Sequence, residues 1–276
     1  MDKICIYHGN CADGFGAAWA VWKSLGNNCE YWPGVYQQTP PDVMGKQVYL
    51  VDFSYKRSVL EAMAKDANTV TILDHHKSAQ EDLVPLLDAG VIQGEFDMHR
   101  SGAMMAWQYF HPGKNPPRLI EYIQDRDLFR FELPASRHVA AALFSYPYDF
   151  KVYDDLMTSG VDHLIADGMA IERKHWKDIN ELAGNAVFHE IGGHRVPMIN
   201  CPYFFSSDMG HLLAANHPFA ACWWETPEGR VFSLRSRDDG ADVSEIARQY
   251  GGGGHRHAAG FKIPADQIQQ FMGSRS

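Results

Sequence analysis

The sequence lacks the features that mark secreted, disulfide-stabilised and membrane-spanning proteins. It holds only five cysteines in 276 residues, and no two of them form a Cys-x-x-Cys pair, which disfavours a disulfide framework and a cysteine zinc knuckle. No run of about 18 consecutive apolar residues occurs, as a membrane-spanning helix would need, and the first residues lack the layout of a signal peptide. We therefore expect a cytoplasmic protein with reduced thiols and no membrane partner.

Basic side chains are also scarce. The chain has 25 Lys and Arg residues against 34 Asp and Glu residues, a formal net charge of -9. This sign disfavours long nucleic acid, which proteins bind by releasing counterions from its phosphates, but it allows a small anionic ligand in a local positive pocket. Histidine is plentiful, with 14 residues, and histidine with carboxylate is the ligand set of Mn, Fe, Zn or Co rather than Ca. The composition thus raises the hypothesis of a metal site.

Hydrophobic patterning predicts two domains of the α/β class. In the first 100 residues, β-branched runs alternate with helical stretches, which is typical of a parallel sheet. We predict strands over 3–8, 47–52 and 69–73, and helices over 14–25, 56–65 and 79–89. Helical patterns then dominate and end in a long amphipathic helix over 162–182, after which strands resume. The predicted organisation is a parallel-sheet domain over 1–160, a helical connector over 161–185 and a smaller mixed α/β domain over 186–276.

Three of the predicted strand ends carry residues of the metal-ligand type. They are His8 with Asp13, then Asp52, then Asp74-His75-His76. Adjacent strands lie about 4.8 Å apart, and ligands bind beyond the carboxyl ends of parallel strands, so these side chains are expected to converge. Each alone has an ordinary alternative, such as a helix N-cap or a turn. Together they would repel one another unless a cation offset their charge.

A fourth element, Asp125-Arg126-Asp127, follows an apolar helical turn. By itself it is more typical of a solvated helix end in which Arg126 pairs with the acids. The four elements together resemble the motifs of the DHH phosphoesterases, which are named for the Asp-His-His of their third motif. His8 to Gly14 is similar to the first motif of that family, Asp52 to the second and Asp125 to the fourth.

The resemblance implies a pair of Mn²⁺ ions and assigns roles to these residues. The implied metal ligands are His8, Asp13, Asp52, His75 and Asp125, with Asp52 bridging the two ions and Asp127 left open in place of Asp125. Asp74 and His76 would orient His75, and the three form the implied catalytic motif. Two ions about 3.5–4 Å apart clamp a phosphoryl group and lower the pKa of a bridging water, and mixed His and carboxylate ligation suits Mn²⁺ better than Mg²⁺.

The first motif departs from the family pattern at Cys11. Many members carry an Asp at that position. One metal position is then expected to be weakened, ligated differently or tuned to a softer ion. Cys11 itself is expected to be a small packing residue in the turn, and a role as metal ligand is the alternative.

The second domain contains the run Gly251-Gly-Gly-Gly-His255-Arg256-His257. Glycines let a backbone approach an anion closely, and their amides form an anion-binding nest; a flexible linker is the alternative. The run resembles the Gly-Gly-Gly-His motif of the DHH-associated C-terminal domain. That resemblance assigns a substrate phosphate to the residues Gly252, Gly253, Gly254, His255 and Arg256, and less firmly to His257.

Two arginines are further candidates for phosphate contacts. Arg235 fits an Arg-Ser pair of the same family domain and would fork around a phosphate, although a surface strand arginine is the alternative. Arg100 stands just before a predicted helix whose N-terminus would favour an anion.

The implied function is Mn-dependent hydrolysis of short oligonucleotides or dinucleotides such as pGpG and pApA to mononucleotides, by two-metal activation of water. Cyclic dinucleotide phosphodiesterase and adenosine bisphosphate phosphatase are the alternatives within the family. A family II pyrophosphatase and a nucleotide-binding protein with a decayed metal site are less favoured. Phe15, Trp19 and Phe129 are candidates for base stacking, each with a core position as its alternative. Oligomeric state, including a homodimer, stays open.

Overall fold

The computed structural model describes residues 1–9, 11–36 and 38–273. The chain forms two compact units, 1–173 and 174–276. The division falls inside a helix that runs from Asp162 to Ala183, the segment whose periodicity predicts a long helix.

The first unit contains a five-stranded sheet in which every pair of neighbours is parallel. Its strands are β1 Lys3–His8, β2 Glu30–Gly34, β3 Gln47–Val51, β4 Thr69–Asp74 and β5 Gln93–Phe96. They lie in the order β2-β1-β3-β4-β5. The three central strands are the three predicted ones, and the parallel α/β prediction for this part of the chain is confirmed.

Helices cover both faces of this sheet. They are α1 Ala12–Leu25, α2 Arg57–Asp66, α3 Lys77–Asp88, α4 Gly102–Phe110, α5 Arg118–Asp127, α6 Ser136–Leu143, α7 Phe150–Ser159 and α8 Asp162–Ala183. Side chains alternate along each strand, so Ile4 and Ile6 pack into one core with Leu60 and Leu83 of α2 and α3, whereas Cys5 packs into the core beneath α1 and α4. With both faces apolar and covered, the carboxyl ends of the strands remain for polar side chains.

The two edge strands, β2 and β5, are absent from the sequence prediction. The first ends in Pro33-Gly34 and the second contains Gly94, residues that weaken a strand pattern and belong to sheet edges. Gly94 has φ 120°, and a Cβ there would lie 1.8 Å from the Ile72 carbonyl oxygen. Close backbone approach therefore explains this glycine.

The second unit contains a six-stranded mixed sheet in the order β10-β11-β9-β8-β7-β6. Its strands are β6 Val187–Ile191, β7 His194–Asn200, β8 Ala220–Thr226, β9 Gly229–Arg235, β10 Gly253–His255 and β11 Ala258–Pro264, and its helices are α9 Ser206–Leu213, α10 Val243–Arg248 and α11 Ile268–Met272. Neighbours are antiparallel except β7 and β8. The mixed α/β prediction is confirmed. Among the described residues, no helix has the length and apolar character needed to cross a bilayer.

Candidate metal centre

The carboxyl ends of β1, β3 and β4 bring the predicted side chains to one edge of the sheet. His8 ends β1, Asp52 follows β3 directly, and Asp74 ends β4. Asp52 has a left-handed backbone, φ 54°, which is rare for a residue with a side chain and clusters at functional sites. Its N–H still donates to the Leu73 carbonyl at 2.9 Å, so the strained residue is held in place by the sheet.

The His75 ring lies at the centre of the cluster. Its Nε2 atom is 3.0 Å from Asp52 Oδ1, 3.6 Å from Asp13 Oδ2 and 3.5 Å from Asp127 Oδ2. Asp13, Asp52 and His75 are each at most 2% exposed. Asp52 belongs to two groups of potential ligand atoms in this unit. The first group also contains Asp13 and His75, and the second also contains His8 and His76. Within each group the ligand atoms lie within 4.8 Å of one another.

The electrostatics of the cluster follow from burying several acids together. Burial raises the pKa of Asp13 well above its usual range, and the carboxylates of Asp52 and Asp127 add to this effect. Burial also acts to raise the pKa of Asp52, but hydrogen bonds from the His75 and His8 rings hold it well below that range. Burial disfavours the charged form of His75, yet Asp127 and Asp52 raise its pKa well above the usual value. The fold thus collects buried negative charge, which imidazolium ions or a bound cation would offset.

Helix α4 fixes the orientation of Asp13. The Asp13 carboxylate accepts the backbone N–H of Gly102 at 2.7 Å and of Ala103 at 3.0 Å, so it also satisfies the positive N-terminus of the helix. A Cβ on Gly102 would lie 2.3 Å from Asp52 Cβ, which leaves no room for a side chain. Sequence reasoning misses Gly102; its only signal is that it follows the N-cap Ser101.

The structure changes the roles expected for Asp74 and His76. Asp74 Oδ1 accepts the backbone N–H of His75 at 2.8 Å and lies 2.6 Å from His76 Nδ1. Asp74 therefore orients the His76 ring rather than that of His75. His76 also offers a ligand atom beside His8 and Asp52. It is therefore a candidate metal ligand itself and not only a residue that orients another ligand.

The fourth motif requires a correction, because Asp125 does not face the cluster. Its buried carboxylate accepts the backbone N–H groups of Glu132 at 2.9 Å and Leu133 at 3.2 Å, which holds the segment after α5. Asp127 is the residue whose carboxylate approaches His75 Nε2. Asp127 therefore replaces Asp125 as the candidate ligand.

Arg100 is also corrected, because its guanidinium is used within its own neighbourhood. It contacts Asp97 at 2.6 Å, Glu95 at 3.0 Å and Gln108 at 2.7 Å. These contacts engage three of its nitrogens. The position of Arg100 before a helix is therefore no longer an argument for a phosphate contact.

The remaining predicted residues of the first unit have mixed outcomes. Cys11 is the N-cap of α1, but its side chain makes no capping hydrogen bond. Burial raises the pKa of its thiol, which lies within hydrogen-bonding reach of His8. Phe15 and Trp19 are at most 2% exposed, so both belong to the core and are not available to stack a base.

Buried carboxylate oxygens without a hydrogen-bond partner indicate that this cluster suits a divalent cation, and this observation does not depend on the sequence motifs. Among the described residues, Asp52 Oδ2 and Asp74 Oδ2 are buried without a hydrogen-bond partner. His8 Nδ1 lies 3.5 Å from Asp52 Oδ2, at the limit of hydrogen bonding. A buried carboxylate oxygen without a partner costs about 1–3 kcal/mol or more, and a cation beside Asp52 would remove that cost.

In the second unit, the glycine run forms half of a hairpin. Gly253–His255 pairs with Ala258–Gly260 of β11. A Cβ on Gly252 would lie 2.0 Å from the Gly260 carbonyl oxygen, and one on Gly254 would lie 2.5 Å from that of Ala258. Close strand packing therefore already requires these two glycines, without a ligand.

The turn of this hairpin is tied to neighbouring elements. The backbone N–H of Ser236 donates to the His257 carbonyl at 3.1 Å, and Ser236 Oγ lies 3.1 Å from His257 Nδ1. Arg256 Nη1 is 3.9 Å from Asp242 Oδ2. These contacts fix the turn at the end of β9, where Arg235 stands.

Arg235 is half-buried and held by its own strand. Its Nη1 atom donates to Ser233 Oγ and to the Leu234 carbonyl, both at 2.9 Å. A Cβ on Gly210 would lie 2.7 Å from Arg235 Cγ, so a glycine in α9 makes room for the arginine stem. The fold orients this side chain, as a phosphate-binding role would require.

A comparison with protein-family models decides the identity of this part of the chain. Residues 214–273 match the DHHA1 domain. The second unit carries a DHHA1 domain. This match lies within the segment 186–276, for which the sequence predicts a DHH-associated C-terminal domain.

Similar proteins outside the DHHA1 match are distant. The uncharacterized protein R106 of Acanthamoeba polyphaga mimivirus is 29% identical over 93% of this chain, which spans 66% of the length of that relative. A pGpG-specific phosphodiesterase, PggH, from Vibrio cholerae is 14% identical, with a TM-score of 0.48 over 97% of this chain and 95% of its own. An exopolyphosphatase-related protein from Bacteroides fragilis is 14% identical, with a TM-score of 0.47 over 95% and 87%. At these values the similarity assigns no substrate.

Proposed function

We propose that the chain hydrolyses one phosphodiester bond of short oligonucleotides or dinucleotides, such as pGpG and pApA, to give mononucleotides. The observation that carries the proposal is Asp52, whose buried carboxylate is shared by two adjacent groups of ligand atoms. Such sharing is what a bridging ligand of a two-metal site requires, and two-metal sites serve in-line displacement at phosphorus.

The residues proposed to hold two Mn²⁺ ions are Asp13, His75 and Asp127 on one side and His8 and His76 on the other, with Asp52 common to both. Imidazole nitrogens in this set favour Mn²⁺ over Mg²⁺, which prefers oxygen ligands and retains its waters. When bound, the ions supply Lewis acidity and lower the pKa of a water molecule.

Neighbouring groups of the chain keep these ligands in place. Asp74 holds the His76 ring at 2.6 Å, and the N-terminus of α4 holds both oxygens of Asp13. Outer partners of this kind fix ring orientation and raise ligand basicity. The sheet edge therefore presents a ligand set that needs little rearrangement to bind metal.

Residues of the DHHA1 domain are proposed to bind a substrate phosphate. Arg235 is the strongest candidate, because it is oriented by Ser233 and Leu234 and a guanidinium binds phosphate oxygens in pairs. His255, Arg256 and the backbone of Gly252, Gly253 and Gly254 complete the proposed set. The net charge of -9 supports a short substrate over long nucleic acid; a cytoplasmic location and a homodimer stay predictions.

Replacing Arg235 with Ala is expected to raise KM about 10- to 100-fold with little change in kcat, because a charged hydrogen bond to phosphate is present in both ground and transition states. Arg230→Ala on the same strand is the control, since Arg230 pairs with Glu225 and lies 3.7 Å over the Trp223 ring. Steady-state kinetics of both variants decide the matter. An unchanged KM in Arg235→Ala would remove Arg235 from the substrate site.

Exchanging Asp127 for Asn is expected to lower kcat about a hundredfold and to weaken Mn²⁺ binding, with thermal stability nearly unchanged, because a ligand oxygen beside His75 is lost. Asp125→Asn keeps only one acceptor for two backbone N–H groups, so it should instead cost about 1–3 kcal/mol of stability. Kinetics, calorimetric Mn²⁺ titration and thermal melts separate the two. The reverse pattern would restore Asp125 as the ligand.

The proposal as a whole is tested by incubating the Mn²⁺-loaded protein with a panel of phosphate compounds and resolving the products by mass. The panel contains 5′-phosphorylated RNAs of two to about ten nucleotides, cyclic dinucleotides, adenosine bisphosphate and pyrophosphate. We expect the fastest turnover on the shortest linear RNAs, with mononucleotide products. Preference for a cyclic dinucleotide, adenosine bisphosphate or pyrophosphate would reject the proposal and select the corresponding alternative.

A further inference from the structure

The first unit contains a cavity that the metal centre does not account for. It has a volume of about 370 Å³, and its walls include Phe131, Leu133, Ser136, Arg137 and His138, together with Glu172 of α8. We call it the Phe131 cavity. Its volume lies at the lower end of the range for small-molecule sites. The cavity lies beyond the end of α5, where Asp127 is located.

Two polar atoms of this cavity lack a partner. Ser136 is 3% exposed, and among the described residues its Oγ atom and His138 Nδ1 are buried without a hydrogen bond. The other ring nitrogen of His138 lies 2.9 Å from Glu172 Oε2. Because a carboxylate only accepts, Nε2 carries the proton of this bond, which leaves Nδ1 as the ring nitrogen without a partner. Two residues of the cavity wall thus each carry a buried polar atom without a partner.

An aromatic and guanidinium surface completes the cavity. The Arg137 guanidinium carbon lies 3.7 Å from the centre of the Phe131 ring, and the Phe129 ring packs edge-on against Phe131 at 4.8 Å. Flat guanidinium and aromatic groups are the surfaces on which nucleobases stack. The wall is therefore suited to a planar ligand.

The backbone around the cavity is strained. Phe129, Phe131 and Ala135 have φ values of 55°, 54° and 56°, a left-handed conformation that side chains rarely adopt. Asp125 holds this segment by accepting the N–H groups of Glu132 and Leu133. Strain that the surroundings enforce clusters at ligand sites, and Asp52 in the metal centre shows the same conformation, φ 54°.

We propose that the Phe131 cavity binds a nucleobase of the substrate, stacked on the Phe131 and Arg137 wall and hydrogen-bonded by Ser136 and His138. This inference rests on the proposed function, since it names a subsite for that substrate. A phosphate fits the cavity less well, because it would meet the Glu172 carboxylate, whereas a base offers both donors and acceptors on its edge. Phe131 stands four positions after Asp127 along the chain, a reach of at most about 15 Å.

The test compares ligands with and without a base by calorimetric titration of the full-length Mn²⁺-loaded protein. The probes are guanosine, adenosine and cytidine monophosphates, with ribose 5-phosphate as the base-free reference. In the wild type, the best nucleotide should bind about tenfold tighter than ribose 5-phosphate, a typical gain from stacking. Ser136→Ala and Phe131→Leu should each reduce that ratio about fivefold, whereas Phe131→Tyr keeps the ring and the ratio.

Ser145→Ala serves as the matched control, because Ser145 lies at the other end of α6 and its hydroxyl donates to the Ala142 carbonyl. It should leave the ratio unchanged. A wild-type ratio near one, or a ratio that Ser136→Ala does not reduce, would overturn the inference even if dinucleotide hydrolysis is observed. A reduced ratio in a protein that hydrolyses no dinucleotide would support the subsite while rejecting the proposed function.

Discussion

Asp52→Asn should reduce phosphodiester hydrolysis at least about a thousandfold, since losing the shared carboxylate removes several kcal/mol of transition-state stabilisation. The substitution removes one negative charge from a residue that is 1% exposed and keeps the size of the side chain. Asn tolerates the left-handed backbone of Asp52, φ 54°, nearly as well as Asp does. The variant should therefore fold and lose metal rather than unfold.

The measurements for Asp52→Asn are kcat, Mn²⁺ content and the thermal midpoint. Asp42→Asn is a suitable control, because Asp42 is an exposed acid that accepts the Met44 N–H at 3.0 Å. That variant should retain full activity and metal. If Asp52→Asn kept both its metal and more than about a tenth of the activity, Asp52 would not be the shared ligand.

Gly102→Ala is expected to disturb two proposed metal ligands at once, although Gly102 carries no functional group. Its new Cβ would lie 2.3 Å from Asp52 Cβ and 2.8 Å from Asp52 Cα, distances at which one of the two chains must move. Overpacking of this kind costs about 1–3 kcal/mol. Because the Gly102 N–H also donates to Asp13 at 2.7 Å, the shift would displace two proposed ligands together.

For Gly102→Ala we therefore predict a lower melting temperature together with a fall in Mn²⁺ affinity of at least about tenfold, since shifted ligand geometry weakens metal binding. The control is Gly184→Ala, because a Cβ there would meet the Glu181 carbonyl oxygen at 3.9 Å, an ordinary van der Waals distance. It should change neither property. Normal metal affinity in Gly102→Ala would show that the α4 N-terminus does not position the centre.

The sequence is sufficient to predict the elements with strong periodicity. The strand predicted over 3–8 is β1, Lys3–His8, and the long helix predicted over 162–182 is α8, Asp162–Ala183. The edge strands are not predicted, because their pairing depends on a neighbouring strand and not on an apolar pattern of their own. Strand β5, for example, has the sequence Gln-Gly-Glu-Phe. Strand β10 is not predicted, because its glycines are also typical of a loop. Their close packing against strand β11 becomes visible only in the folded chain.

The choice between Asp125 and Asp127 shows where motif reasoning ends. Residues two apart on a helix point to different sides, so one acid faces the His75 ring and the other faces the segment after the helix. The packing of α5 decides which of the two acids faces His75. The rotation of a helix about its own axis cannot be derived from a short motif. The same holds for Arg100, whose partners Glu95 and Asp97 stand within five residues of it and compete with any phosphate.

The central claim is that the strand-end cluster binds two Mn²⁺ ions that hydrolysis requires. The most direct test titrates metal-stripped protein with Mn²⁺ by calorimetry and follows hydrolysis of the preferred short RNA in the same series. We expect two ions per chain, activity that returns in step with their binding, and little recovery with Mg²⁺. Full activity in the presence of a chelator, absence of Mn²⁺ binding, or equal recovery with Mg²⁺ would contradict it.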